Sequence, residues 1–160
     1  MSLHDGLREY LGENLKRVAL VGVGNPLRAD DGVGPRVIEL LEERHIENVL
    51  LINAETVPES YVGKVVKYEP THVLLIDAAN FRGHVGETRL ILGGQIDGHA
   101  VSTHSLPLTI FIKYVERSAG VRVLLLGVQP KTIEFYQPMS PEIENAAISI
   151  ADTLFQELSE

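Results

Sequence analysis

Three polar side chains that could carry chemistry stand at the ends of separate apolar segments. Asp31 follows the apolar run 18–24, Asp77 ends the run HVLLID, and His104 stands in STHSLP just ahead of a predicted helix. In open α/β sheets ligands collect beyond the carboxyl ends of the strands, so the three side chains are expected to meet at one edge. Two carboxylates and one imidazole suit a divalent metal and leave positions open for water or a substrate group.

Each of these residues also has a simpler interpretation. Asp31 could cap the helix that is expected to begin near Gly34, and His104 could be an ordinary loop histidine. Asp77 is harder to explain in this way, because a carboxylate at the end of a buried apolar run is costly without a partner. Asp30 is expected to point away from its neighbour and to be either solvated or a support behind the site.

The segment GVGNPLRADDGVGP joins the first predicted strand to a helix. It does not favour a dinucleotide, because Leu27 replaces the third glycine of G-x-G-x-x-G and an acid pair would repel a pyrophosphate. Asn25 and the amides near Gly24 and Gly32 are instead candidates for binding a substrate backbone or an oxyanion. A turn-forming role for Asn25 is equally consistent with its position.

The apolar patterns predict strands that alternate with helices. The predicted strands are 18–24, 49–53, 72–77, Thr88–Leu92 and 121–128. The predicted helices are 35–44, 58–68, 106–119 and 140–158, the last with Ser140 as its capping side chain. This alternation predicts a three-layer α/β domain around a mostly parallel five-stranded sheet. The link from Asp77 to Thr88 is short, so the sheet is expected to be mixed, with Thr88–Leu92 antiparallel.

Length and composition predict one domain over residues 1–160. Residues 1–16 are expected to form an N-terminal helical extension, with leucines at every fourth position: Leu3, Leu7, Leu11 and Leu15. The N-terminus lacks the basic and apolar regions of an export signal, and no segment has the length of a membrane span. We therefore expect a cytoplasmic protein that does not insert into membranes.

Charge and cysteine content narrow the function classes further. The chain has a net charge of -8 and scattered basic residues, which argues against nucleic acid as a partner. The even scatter of charge favours a monomer. Because there is no cysteine, a thiol nucleophile and thiolate metal ligands are excluded. The P-loop, HExxH and GxSxG motifs are also missing from the sequence.

Four motifs together resemble those of the hydrogenase maturation proteases. They are GVGNPLRADDGVGP, LLIDA, STHSLPL and LLGVQP, in this order. STHSLPL, and GVQP followed by FYQPMSP, are most similar to the branch that serves hydrogenase 3 of formate hydrogenlyase. The resemblance implies a phosphorylase/hydrolase-like α/β/α fold. It also implies an endopeptidase that removes a short C-terminal peptide from the large-subunit precursor of a nickel-iron hydrogenase.

The resemblance also implies the site and its metal. Asp31, Asp77 and His104 match the family's metal-contacting positions and are its expected catalytic residues. Nickel already inserted into the precursor is expected to serve as the recognition element, so that the resting enzyme holds no permanent metal. Peptide hydrolysis would then occur at a nickel-centred site shared by enzyme and substrate.

Three alternatives follow from the same residues. A self-sufficient zinc peptidase would purify with its metal and cleave generic peptides. A serine hydrolase would need Ser102 or Ser105 to work with His104 and Asp77, but adjacent residues seldom point together. A nickel-checking chaperone of the large subunit would bind the precursor without cutting it.

Overall fold

The computed structural model describes residues 2–96 and 108–159. Within these residues the strands are β1 (Val18–Val23), β2 (Val49–Glu55), β3 (His72–Ala78), β4 (Thr88–Leu92) and β5 (Val123–Val128). The α-helices there are α1 (Leu3–Leu11), α2 (Val33–Glu42), α3 (Val62–Lys67), α4 (Leu108–Ala119) and α5 (Pro141–Leu158). None of the described helices is long and apolar enough to cross a membrane.

The strands form one five-stranded sheet in the order β2-β1-β3-β5-β4. β1, β2, β3 and β5 run parallel, and β4 runs antiparallel to β5. The predicted mixed, mostly parallel sheet is therefore confirmed. A short link connects β3 to β4, but these two strands are not neighbours in the sheet, because β5 lies between them. β5 is registered beside β3 so that Asp77 lies opposite Gly127.

Helices cover both faces of the sheet, which explains why its central strands are apolar without alternation. Leu20, Leu74 and Leu126 point to the core shared with α1, α2 and α5. Val21 and Leu125, on the opposite face, pack in the core that includes side chains from α3 and α4. The predicted three-layer α/β/α architecture follows directly from this two-sided burial.

The N-terminal helix is shorter than the sequence pattern predicts. α1 ends at Leu11, and Gly12 takes a positive φ of 70° that terminates the helix. Leu7 and Leu11 are buried against the core, whereas Leu15 is fully exposed. The prediction of one helix over residues 1–16 is thus wrong from Gly12 onward, because leucine spacing alone cannot outweigh the helix-ending glycine.

The other predicted helices are confirmed with shifted boundaries. The predicted helix 58–68 is divided into a 3-10 helix, Pro58–Tyr61, and α3. α2 begins at Val33, so Pro35 lies in its first turn, where a missing amide proton is tolerated. α4 is described from Leu108, and the first two residues of its predicted range lie outside the described residues.

Candidate active site

Asp31 lies in a short 3-10 helix, Ala29–Gly32, between β1 and α2. Its side chain is buried, and its Oδ2 accepts a hydrogen bond of 2.9 Å from the Asn25 amide. Its Oδ1 is also buried and has no hydrogen-bond partner among the described residues. The carboxylate thus bonds to the loop before α2, which argues against the interpretation of Asp31 as a helix cap. One carboxylate oxygen of Asp31 is thus held by a hydrogen bond, and the other has none among the described residues.

Asp77 lies near the carboxyl end of β3 and is fully buried. Gly24 brings it close to Asp31. A Cβ atom placed on Gly24 would lie 3.4 Å from Asp77 Oδ1 and only 1.9 Å from the carbonyl oxygen of Asp31. Because Gly24 has no side chain and a φ of 139°, the two aspartates' segments can approach the same point.

A second glycine sets the position of α2 over the sheet. A Cβ atom on Gly34 would lie 2.2 Å from the carbonyl oxygen of Ile76 and 2.4 Å from that of Val23. The first turn of α2 therefore rests directly on the carboxyl ends of β1 and β3. Asp31 lies just before this helix, so the contact also sets the position of Asp31 relative to Asp77.

Asp30 has a different environment from its neighbour. It is fully buried and accepts hydrogen bonds from the amides of Lys131 (2.9 Å), Thr132 (3.1 Å) and Ser140 (2.7 Å). The Ser140 hydroxyl donates a fourth bond of 2.9 Å. The expectation of a solvated side chain is wrong for Asp30, and the alternative, a support behind the site, is the one that the contacts favour.

Ser140 does not cap α5 with its side chain, contrary to the sequence-based expectation. It occupies the capping position, but its hydroxyl donates to Asp30, and its carbonyl accepts from the amides of Ile143 and Glu144. A buried carboxylate is a stronger acceptor than a neutral group, so it takes the hydroxyl proton. The start of α5 is thereby tied to the loop that carries Asp31.

The three residues predicted to bind substrate contribute mainly to the loop itself in the contacts described. The Gly24 amide donates to the Glu55 carbonyl at 2.7 Å. Asn25 accepts from the Leu27 amide through Oδ1, which is the turn-forming role. Gly32 packs against Pro26, since an added Cβ would lie 3.0 Å from its Cα atom. Substrate contacts of these three residues stay a prediction.

Gln129 is a site residue that the sequence reasoning missed. It follows β5 directly, is buried, and accepts hydrogen bonds through Oε1 from the amides of Phe81 and Gly83, each 3.0 Å long. Its Nε2 donates to Asn80 Oδ1 at 3.2 Å. Gln129 thus anchors the segment that follows Asp77. Its position in LLGVQP, as a polar residue at a strand exit, is the signal that could have identified it.

The third predicted ligand, His104, lies outside the described residues, as do Ser102 and Ser105. Among the residues that are described, no group of three His, Cys, Asp or Glu side chains is arranged to hold a metal. This part of the chain supplies a pair of buried carboxylates.

Comparisons with known proteins agree on one family. The family model described as "Hydrogenase maturation protease" matches residues 35–157. The Hydrogenase 3 maturation protease of Escherichia coli is 31% identical over 140 residues, which cover 87% of this chain and 86% of the relative.

Solved structures of such proteases have the same fold. The crystal structure of the NiFe hydrogenase maturation protease HycI from Thermococcus kodakarensis is 34% identical and superposes with a TM-score of 0.88 over 97% of this chain and 99% of its own. The solution structure of the endopeptidase HycI from Escherichia coli is 28% identical, with a TM-score of 0.76 over 89% and 88%.

Proposed function

The chain belongs to the hydrogenase maturation protease family, and we propose that it removes a short C-terminal peptide from the large-subunit precursor of a nickel-iron hydrogenase. In this proposal the cut follows nickel insertion, and the nickel ion in the precursor is the feature that the enzyme recognises. The similarity to the Escherichia coli Hydrogenase 3 maturation protease makes a precursor of that type the first substrate to test.

The observation that carries the proposal is the buried Oδ1 of Asp31. A charged acceptor without a hydrogen bond costs free energy in the folded protein, since burial removes its hydration. Such a cost is retained when the atom is needed by a ligand that arrives later. Nickel held in a precursor chain is a positively charged ligand that suits a carboxylate oxygen. Asp77 Oδ1 lies close to Gly24, the glycine that the Asp31 carbonyl also approaches.

The proposed reaction is hydrolysis of one peptide bond. Water attacks the scissile carbonyl carbon, one carboxylate accepts the proton of the water, and that proton then passes to the leaving amine as the carbon–nitrogen bond breaks. The precursor's nickel lies next to Asp31 and Asp77, where it polarises the carbonyl or acidifies the water. His104 completes the set of metal contacts in this proposal.

Two sets of hydrogen bonds in the loop support the proposed position of the Asp31 carboxylate. The Asn25 amide fixes Asp31 Oδ2, so that only Oδ1 is presented. Asp30 ties the same loop to the segment 131–140 through four bonds, which restricts the movement of Asp31. A preorganised carboxylate loses little entropy when it engages the metal or the water.

The decisive test is a cleavage assay with and without nickel in the substrate. Purified, chelator-treated protein is mixed with a large-subunit precursor in both forms, and the precursor mass is followed over time. Loss of a C-terminal peptide from the nickel-loaded form alone is the expected result. Binding without a change in mass would show a chaperone instead, and equal cleavage of both forms would show a peptidase that does not recognise the metal.

A His104→Ala variant tests the third metal contact. We expect it to lose processing by about 100-fold or more, the usual order for a group that takes part in proton transfer or charge stabilisation. Circular dichroism should show an unchanged fold. A variant that processes the precursor at the normal rate would remove His104 from the site.

A further inference from the structure

An exposed apolar cluster lies beside the candidate active site. It is formed by Leu27, which is 57% exposed, Phe135, which is 54% exposed, and Tyr136, which is 80% exposed. The Arg28 guanidinium lies 4.6 Å from the centre of the Phe135 ring. We infer that these four residues form a docking patch for an apolar segment of the hydrogenase precursor, an inference that rests on the proposed function.

The docking patch belongs to the same rigid unit as the site. The Tyr136 amide donates to the Leu27 carbonyl at 2.7 Å, and Arg28 Nε donates to the Ile133 carbonyl at 3.1 Å. The Asp31 amide in turn donates to the Arg28 carbonyl at 3.0 Å. The docking patch and Asp31 are therefore connected by hydrogen bonds within the same loop.

Tyr136 provides the most specific observation. Its φ is 62°, in the left-handed region that a bulky residue other than glycine rarely adopts. The strained backbone places the ring in water rather than in the core, so ring burial within this chain does not offset the strain. Strain of this kind is typical of binding and catalytic segments, where it holds a side chain ready for a ligand.

The composition of the patch fits a protein partner. Tyrosine and arginine are the residues most often found at the energetic centres of interfaces, and exposed apolar clusters mark interaction sites. Stacking of Arg28 on Phe135 keeps both side chains ordered, which lowers the entropy cost of binding.

A second copy of this chain is a poorer occupant than the precursor. In a two-fold symmetric contact the same surface meets itself, so the patch would bring two Arg28 guanidinium groups together. The precursor must in any case reach the carboxylates at this edge of the sheet, and the patch extends the same surface.

Kinetics and binding with Tyr136→Gly test the inference. Glycine removes the ring and also relieves the positive φ, so the melting temperature should stay equal or rise. We expect KM for the nickel-loaded precursor, and Kd measured by fluorescence anisotropy, to rise about tenfold or more, with kcat within about twofold. A residue that served only the loop's structure would leave both KM and Kd unchanged, which would overturn the inference.

Leu27→Ser and Leu15→Ser form a matched pair. Both leucines are exposed, but Leu15 lies near Val18 and Val49, at the opposite edge of the sheet. Leu27→Ser should raise KM and Kd, and Leu15→Ser should change neither. Equal effects of the two variants would overturn the assignment of the patch.

The binding measurement also separates this inference from the proposed function. If the wild-type protein binds the precursor without cutting it, the endopeptidase proposal fails, yet a rise in Kd for Tyr136→Gly and Leu27→Ser would still support the patch. If sedimentation shows a wild-type dimer that these variants dissociate, the occupant is a second copy and the inference is wrong.

Discussion

The polar groups at the two ends of the central sheet differ in their hydrogen bonding. At the amino ends of β3 and β5, the Tyr10 hydroxyl lies 2.9 Å from the Val73 carbonyl and 3.0 Å from the Arg122 carbonyl, and it accepts from the Val73 amide at 3.1 Å. At the carboxyl ends, Asp31 Oδ1 has no partner among the described residues. At the amino end the hydroxyl is hydrogen-bonded to both strands, whereas at the carboxyl end a buried carboxylate oxygen lacks a hydrogen bond among the described residues.

The same contrast separates two neighbours at the carboxyl end. Asp30 accepts four hydrogen bonds, whereas Asp31 accepts one described bond. Adjacent residues of one type thus have different hydrogen-bond environments because the chain segments that reach them differ. A substitution at each position should therefore separate activity from stability.

Asp31→Asn should have the largest effect on activity. We expect processing of the nickel-loaded precursor to fall by about 100-fold or more, because the amide carries no charge for a metal and cannot accept the proton of water. The melting temperature should be unchanged or higher, since a buried charge is removed. Precursor mass spectrometry and calorimetry provide the two measurements. A variant with normal processing would show that the unpartnered oxygen has no catalytic role.

Asp30→Asn should have the largest effect on stability. The amide would place donor hydrogens against backbone amides that now donate to the carboxylate, so we expect a loss of roughly 2 to 4 kcal/mol in the free energy of unfolding. Urea denaturation measures it. Asp152→Asn, on the exposed partner of Arg44, is the control and should cost less than about 1 kcal/mol. Similar costs for both would contradict the anchoring role of Asp30.

Tyr10→Phe should destabilise the opposite end of the sheet by about 1 to 2 kcal/mol without changing the cleavage rate. Burial, the largest cause, raises the pKa of Tyr10 from 10.0 to about 12. The raised pKa means that its contribution to stability is complete below pH 10 and is lost as the pH rises towards 12. Unfolding at a series of pH values should therefore show a steeper loss in this window for the wild type than for Tyr10→Phe. Parallel curves would contradict this role.

Glu157→Gln should have the smallest effect of the four. Glu157 is buried and joins α5 to α1 through His4 (2.8 Å) and Arg8 (3.2 Å). Both partners are substantially exposed, so we expect a loss of about 1 kcal/mol, seen as faster hydrogen exchange in α1. Glu142→Gln, which alters an exposed pair with Lys131, should leave that exchange unchanged. Unchanged hydrogen exchange of α1 in Glu157→Gln would show that the buried leucines of α1 are sufficient to keep the helix in place.

Local sequence patterns predicted most of the elements of the fold. Strands buried on both faces leave continuous apolar runs, so their existence was predictable, and Thr88–Leu92 has the predicted bounds. The length of the N-terminal helix was mispredicted. The leucine spacing continues past Gly12 to Leu15, but the positive φ of Gly12 ends the helix. The segments that carry Asp31 and Asp77 approach each other at Gly24, whereas the site roles of Asp31, Asp77 and His104 stay predictions.

The sequence by itself determined the elements and the exits at which Asp31 and Asp77 stand, since apolar periodicity and turn residues act over a few neighbouring positions. The tertiary structure alone decided which aspartate is anchored and which keeps an oxygen without a hydrogen bond from the described residues. Asp30 and Ser140 are 110 residues apart, and Gln129 and Phe81 are 48 apart. Bonds across such separations depend on how the packed layers place distant loops, and no local pattern encodes that placement.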